Sequence, residues 1–392
     1  MNNNNKFELK LYYTNIFPYE IFCKWLLLYS KYPLTHREFS FDYQTEVTNP
    51  YVERYKCMKD HTMFKQYLLN KCPDKLDIGS VYNHSFENYD TKNDNNKEKP
   101  IPDEKELVFD IDLSDYDYFD NKKKSQDNTT NIRICCNGKK QICTKCWPII
   151  ITSMKILRYY LSDLFNFKHY MWVFSGKKGI HCWLSDEIIK REYTDNMRKN
   201  LIQFISYKEI YVINHNPIYN YIYTQYLLPC FEELVRIQDY FGTRELCLSF
   251  LKSNNNYYFS SDVQTKIMFM FNEKFDEENS MIRWKLLLHF AEHGTVSGVD
   301  RMIKKMIFET LYPKLDENVS IKKAHLLKAP FSIHPGTGNI CVPILDIENV
   351  QLETLLELNL NNIIHNNNNN NNNKSDLLIP YIQVFAQKAE IQ

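Results

Sequence analysis

The run Glu106-Leu107-Val108-Phe109-Asp110-Ile111-Asp112-Leu113 constrains this chain more than any other feature of its sequence. Alternation over a strand-length run sends Leu107, Phe109, Ile111 and Leu113 to one face, which reads as core. It sets two carboxylates, Asp110 and Asp112, side by side on the other. Carboxylates two residues apart on a strand repel each other unless positive charge sits between them, and a divalent cation bound by hard oxygen ligands is the usual remedy. Such an edge suits metal-assisted phosphoryl transfer. A merely solvated acidic strand end satisfies the same pattern, so the segment by itself leaves both readings open.

At 392 residues the chain can bury a sizeable core and form about two domains. Its 48 Lys plus Arg balance 48 Asp plus Glu, so no global positive field draws in long duplex DNA. Any nucleic-acid contact must come from local patches or from a partner. Eleven cysteines would suit a disulfide framework in a small secreted protein. Here the chain is large and opens Met1-Asn2-Asn3-Asn4-Asn5 with no apolar signal region, which predicts reduced thiols in the cytosol or nucleus. No apolar run approaches bilayer length; Trp25-Leu26-Leu27-Leu28-Tyr29 is short and predicts a buried helix.

The Asn-rich start, the polar stretch 91–99, the run 121–131 and the eight-Asn tract 366–373 cannot bury apolar surface and read as disordered insertions and loops. Between them, strand-like runs (107–113, 171–174, 180–184, 340–344) mix with helical ones. Met154, Leu157, Leu161, Leu164 and Phe165 recur at helical spacing, as do Met302, Ile303, Met306 and Ile307. From about Tyr193 to His293 the segments are long and amphipathic, strand signals are few, and Gly242 is the single glycine. The expected class is therefore α+β, with a first part at 1–192, an inserted helical subdomain at 193–293 and a second part at 294–392.

Glycine is scarce, nine in all, so its placement carries information. Two glycines fall in Phe174-Ser175-Gly176-Lys177-Lys178-Gly179-Ile180-His181-Cys182-Trp183, where one strand enters a tight turn and a second leaves it. Glycine lets backbone N–H groups approach a ligand, and Ser175, Lys177, Lys178 and His181 add donors to the same small space. That suits phosphate oxygens; an ordinary hairpin with solvated lysines would also fit. Two more glycines lie in Leu327-Lys328-Ala329-Pro330-Phe331-Ser332-Ile333-His334-Pro335-Gly336-Thr337-Gly338. Here Pro330 and Pro335 stiffen a loop bearing Lys328, Ser332, His334 and Thr337, a second phosphate-side clamp or a rigid turn.

Cys135-Cys136 and Cys143-x-x-Cys146 supply four thiols within twelve positions, next to Arg133 and ahead of Trp147-Pro148. A tetrahedral structural zinc site fits this motif at 135–146, with an iron–sulfur cluster or a reactive dithiol as alternatives. The other seven cysteines (Cys23, Cys57, Cys72, Cys182, Cys230, Cys247, Cys341) are scattered and read as small core residues. A two-metal site would want a third acid. Spacing alone does not separate Asp316, in Leu315-Asp316-Glu317-Asn318-Val319-Ser320, from a surface turn carboxylate.

In this order, the elements closely resemble the catalytic small subunit of the archaeo-eukaryotic DNA primases, in its eukaryotic form. The matching residues are Arg37-Glu38-Phe39-Ser40-Phe41, Tyr51-Val52-Glu53-Arg54-Tyr55, Asp77-Ile78-Gly79-Ser80-Val81-Tyr82, Asp110-Ile111-Asp112, the four cysteines, the Ser175 to Trp183 segment, Leu315 to Ser320 and the Lys328 to Gly338 loop. Together they cover most of residues 7–345. The resemblance implies a mixed α/β primase-type catalytic domain with an inserted helical subdomain and a structural zinc motif. It implies that Asp110, Asp112 and Asp316 hold catalytic Mg²⁺ or Mn²⁺ and that Ser175, Lys177, Lys178 and His181 bind the nucleotide's phosphates. Lys328, His334 and Arg54 would surround the same nucleotide, Glu38 and Asp77 would help shape the pocket, and Cys135, Cys136, Cys143 and Cys146 would hold Zn²⁺.

The implied activity is DNA-directed RNA polymerase, joining ribonucleoside triphosphates de novo on a single-stranded DNA template into replication primers. The implied partners are a primase large subunit, in a heterodimer, and the DNA polymerase alpha complex, in the nucleus and away from any membrane. Two rivals are a repair or bypass primase-polymerase and a non-catalytic zinc scaffold of a replication complex. The chain departs from the family in carrying Lys177 and Lys178 where arginines are usual, and in a slightly longer gap between Cys136 and Cys143.

Overall fold

The computed structural model describes residues 3–44, 49–87, 100–116, 133–136, 142–207, 215–244, 246–247, 260–272, 279–293, 298–365 and 374–390. The stretches 91–99, 121–131 and 366–373, expected to be disordered, lie outside them. The Asn-rich start differs from expectation: Asn3, Asn4 and Asn5 enter the helix Asn3–Asn15, which is anchored farther along by buried Leu9, Tyr12 and Tyr13. The chain forms two compact units. One comprises Met1–Asp110, Leu164–Phe204 and Leu315–Gln392; the other comprises Ile111–Asp163 and Ile205–Lys314. The fold is mixed α+β, and among the described residues no helix is long and apolar enough to cross a membrane.

The first unit is built on strands. β1 (Arg37–Tyr43), β2 (Tyr51–Arg54), β3 (Lys75–Tyr82) and β4 (Pro102–Glu104) form a sheet in the order β2-β1-β3-β4, and β8 (Leu327–Lys328) also pairs with β3. A second sheet has the order β5-β7-β6, with β5 Leu107–Asp112, β6 Tyr170–Phe174 and β7 Gly179–Leu184. β1 and β3 are buried along nearly their whole length, and helices Tyr19–Leu27 and His61–Lys71 contribute an aromatic core. Phe22 stacks on Phe64 (5.6 Å, 11°), and Trp25 meets Trp183 edge-on at 5.4 Å, a preferred aromatic geometry. Of the run Trp25 to Tyr29, Trp25 and Leu26 are buried in their helix as the sequence predicts, whereas Leu27 is exposed and ends the helix, leaving Leu28 and Tyr29 beyond it.

The run 340–344 is not the strand its apolar pattern suggests. Phe174 N–H donates to Val342 and Ile344 N–H donates to Trp172, bracketing Pro343, and only isolated bridges form. Proline has no N–H for a ladder, so the run lies alongside β6 without becoming a strand.

The second unit is helical. Trp147–Arg158, Pro217–Ile222, Leu228–Gln238, Ser261–Asn272, Ser280–His293 and Val299–Leu311 are its described α-helices. Met154 and Leu157 are buried in the first of them, and Ile303, Met306 and Ile307 in the last. Trp284, fully buried, stacks on Phe241 (5.9 Å, 12°) and packs against Phe231 at 5.1 Å. Its indole N–H donates to Glu232, so a large apolar group enters the core without stranding its polar atom.

Candidate active site

β5 is fixed before its carboxylates begin. Glu106, fully buried, accepts two bonds from the Arg37 guanidinium (2.8 and 2.9 Å) and lies 3.1 Å from Lys190. Burial would raise its pKa, but Arg37 and Lys190 win and hold it well below the carboxylate range. Arg198 donates to the Glu106, Lys105 and Ile189 carbonyls. Among these cations, burial pushes Lys105 down to about 7. Breaking such a buried set from one side costs about 3–5 kcal/mol, so the strand start is rigidly held.

From Phe109 onward the burial along β5 alternates as the sequence predicts, with Phe109 and Ile111 inside and Asp110 and Asp112 partly open, while Leu107 and Val108 are both buried. His181 of β7 comes within 3.6 Å of the Asp110 carboxylate. Next to β5 lies the short helix Glu317–Ile321: Asp316 N–H donates to the Asp110 carbonyl (3.1 Å), and Ser320 Oγ donates to the Val108 carbonyl (2.6 Å). Asp316 is thus brought from 206 positions away to the backbone of Asp110, with its own carboxylate capping Asn318 N–H. Asp112 accepts from the N–H and hydroxyl of Ser114.

The two donor loops meet. In the β6–β7 hairpin Gly176 has φ +83°, and a Cβ there would come within 2.7 Å of His334 Cβ, so glycine is required both by conformation and by close approach. Ser175 Oγ accepts from Gly179 N–H, and Lys328 Nζ donates to the Ser175 carbonyl at 3.0 Å. Ser332 is buried and spends its hydroxyl on Ala329; Thr337 spends its own on Gly176. The second loop is anchored at Phe331, whose backbone is left-handed (φ 61°). Its carbonyl accepts from Tyr12, and its ring meets Phe385 edge-on.

Burial first, then Lys328 and Lys177, pushes His334 down to about 4. The ring is neutral at pH 7, and because Nδ1 accepts from Gly336 N–H, its proton sits on Nε2, which is then a donor. Lys178 is nearly buried, Lys177 less so.

Glu38, fully buried, accepts Arg54 through one oxygen (2.8 and 2.5 Å) and Tyr82 through the other (2.9 Å), so it aims the Arg54 guanidinium. Asp77, opposite Lys328 in the β3–β8 register, accepts Lys75 at 2.6 Å on one oxygen, while its other oxygen is buried without a hydrogen-bond partner. That unpaired acceptor is costly unless a ligand donates to it.

In the second unit the sulfurs of Cys135, Cys136, Cys143 and Cys146 lie within 4.8 Å of one another. Neighbouring pairs stand 3.5–3.9 Å apart, far beyond a disulfide bond and close to the roughly 3.8 Å edge of a tetrahedron with 2.3 Å metal–sulfur bonds. The Cys135 hydrogen bond, with help from Cys143 and Arg133, holds the Cys146 thiol down at about 5 against the effect of burial. The cluster can hold a metal ion. Six of the other seven cysteines are buried and Cys57 is half-buried, and no disulfide joins any of the seven.

The family model for the DNA primase small subunit matches residues 109–345. The chain is 31% identical over 358 residues to the DNA primase small subunit of Drosophila melanogaster, covering 86% of this chain and 75% of the relative. It is 29% identical over 367 residues to that of Saccharomyces cerevisiae (88% and 82% covered) and 30% identical over 367 residues to that of Caenorhabditis elegans (86% and 81%). The chain belongs to the DNA primase small subunit family.

As a member of that family it is a primase enzyme of DNA replication, and neither the bypass polymerase nor the scaffold is favoured. Four soft sulfurs suit Zn²⁺, and hard carboxylate oxygens such as those of Asp110, Asp112 and Asp316 are of the kind that Mg²⁺ or Mn²⁺ would take. Two residues escaped sequence reasoning. Lys75 pairs with Asp77 and adds to the positive field on His334; an isolated lysine opening a strand gives no signal. Gln238 donates to the Lys145 carbonyl and accepts from Cys135 N–H, clamping both cysteine segments from a helix a hundred positions away.

Proposed function

We propose that this chain synthesises short RNA primers de novo on single-stranded DNA by metal-dependent transfer of nucleotidyl groups from ribonucleoside triphosphates. The observation that carries the reading is the convergence of Asp110, Asp316 and His181 in the unit that also holds the paired donor loops. Asp110 and Asp316, with Asp112 two residues along the same strand, would hold Mg²⁺ or Mn²⁺, which supplies charge neutralisation and hydroxyl activation. Lys177, Lys178 and Lys328 would bind the triphosphate as point charges, with Ser175 and the Nε2–H of His334 as neutral donors. Arg54, held by Glu38, adds a planar fork, and His181 beside Asp110 orients a phosphate oxygen. The unpaired Asp77 oxygen would accept from a nucleotide hydroxyl.

The four cysteines would hold zinc in a closed structural site. Residues 193–293 would act as a helical subdomain inserted between catalytic parts at 1–192 and 294–392. The relatives' designation as small subunits supports work in a larger assembly, for which a primase large subunit and the DNA polymerase alpha complex are the proposed partners, in the nucleus.

The test is primer synthesis on poly-dT with ATP or dATP. RNA products of defined length from ATP alone support the reading; products made chiefly from dATP return the bypass polymerase, and no product from either returns the scaffold.

A further inference from the structure

The carbonyl of Gly176, inside the lysine-bearing turn, accepts two hydrogen bonds at once. Thr337 Oγ1 donates at 2.7 Å and Asn339 Nδ2 at 3.0 Å. Both donors have their own support. Asn359 Nδ2 donates to Asn339 Oδ1 (2.8 Å) and to the Thr337 carbonyl (2.9 Å), and Asn359 Oδ1 accepts from Asn361 N–H (3.1 Å). Because the Gly176 oxygen can only accept, the Asn339 amide must present its nitrogen there and its oxygen to Asn359; the orientation of the whole chain of bonds is fixed. Backbone bonds from Leu360 N–H to Gly338 and from Ile340 N–H to Leu358 hold the two segments together. Asn339 is buried, and Asn359 lies beyond the span 109–345 matched by the family model.

We propose that Thr337 and Asn339, backed by Asn359, are positioning residues for nucleotide binding: they pin the Gly176 peptide and so aim the turn that carries Lys177 and Lys178. The geometry gives the means. A trans peptide is planar, so its C=O and the following N–H point in opposite directions. Drawing the Gly176 carbonyl toward Thr337 and Asn339 turns the Lys177 N–H the other way. Gly176, at φ +83°, would otherwise roam a wide conformational range. The proposal rests on the assignment of this turn to the nucleotide's phosphates.

The experiment is steady-state primer synthesis by the full chain on poly-dT against ATP concentration, for Thr337→Val, Thr337→Ser, Asn339→Ala and Lys177→Ala, with thermal melting of each. Thr337→Val and Asn339→Ala should each raise KM for ATP about 2- to 12-fold, the equivalent of about 0.5–1.5 kcal/mol at 1.4 kcal/mol per decade, with kcat nearly unchanged. Thr337→Ser, which keeps the hydroxyl, should restore KM. If Lys177→Ala raises KM while Thr337→Val and Asn339→Ala do not, the positioning role is wrong and the loop assignment stands. If Lys177→Ala also leaves KM unchanged, both fall. A lower melting temperature with equal loss of kcat and no rescue by serine would make these residues merely structural and overturn the proposal.

Discussion

The thiol cluster and the carboxylate-and-lysine site make opposite uses of polar atoms. In the thiol cluster four sulfurs face one another at near-tetrahedral spacing, and Gln238 closes the backbone around them. In the other site, cations crowd cations around His334, one Asp77 oxygen is buried unpaired, and the Asp110 side chain is 27% exposed. A set of ligands satisfied by one small ion reads as structural, whereas a half-paired acid, a neutral ring among lysines and a partly open carboxylate read as waiting for substrate. The contrast can be broken from either side.

The largest effect is expected at the thiols. Cys143→Ser should abolish binding of the one zinc expected per chain and lower the melting temperature by roughly 5–15 °C, because metal binding in a closed site supports the local fold. Elemental analysis and calorimetry read both quantities. No zinc in the parent chain, or iron in its place, would remove the structural half of the contrast.

The lysines come next. Losing one charge-assisted contact of about 1.5–3 kcal/mol should raise KM for the nucleotide roughly 10- to 150-fold in Lys177→Ala or Lys178→Ala, with little change in melting temperature. Arginine at either position should be tolerated or tighten binding, because its planar fork can engage phosphate bidentately. Equal loss of stability and of affinity in the alanine variants would make the open site another structural one.

The smallest effect is a pH slope. The folded pKa of His334, about 4, lies below its unfolded value near 6.5, so the unfolded chain takes up the extra proton between those values. Its contribution is fully present above about pH 6.5 and is lost as pH falls toward 4. His334→Asn should therefore lose less melting temperature than the parent between pH 6.5 and 4.5. A parallel decline in both would mean that the ring is not held neutral by burial and its lysine neighbours.

How much of this could be read from the sequence depends on distance along the chain. The Asp110–Asp112 edge and the four thiols are local patterns, legible because strand alternation and a C-x-x-C spacing dictate their geometry within a dozen residues. That Lys328 reaches Ser175, or that Asp316 lies against Asp110, depends on pairings across 153 and 206 positions, which periodicity does not encode. The resemblance named those residues; their contacts had to be seen. Lys75 and Gln238 were invisible because their roles come from partners distant in sequence. The run 340–344 misled because its apolar pattern is that of a strand, and only the lost N–H of Pro343 says otherwise.

The central claim is that the acids at β5 and Asp316 form one catalytic centre, and primer synthesis by Asp316→Asn in saturating Mg²⁺ tests it most directly. The exchange keeps side-chain shape and an oxygen to cap Asn318 N–H while removing the charge, so folding should be intact. The account predicts loss of primer synthesis to background, as in Asp110→Asn and Asp112→Asn. Near-normal synthesis by Asp316→Asn, with Asp110→Asn inactive, would contradict the three-carboxylate centre.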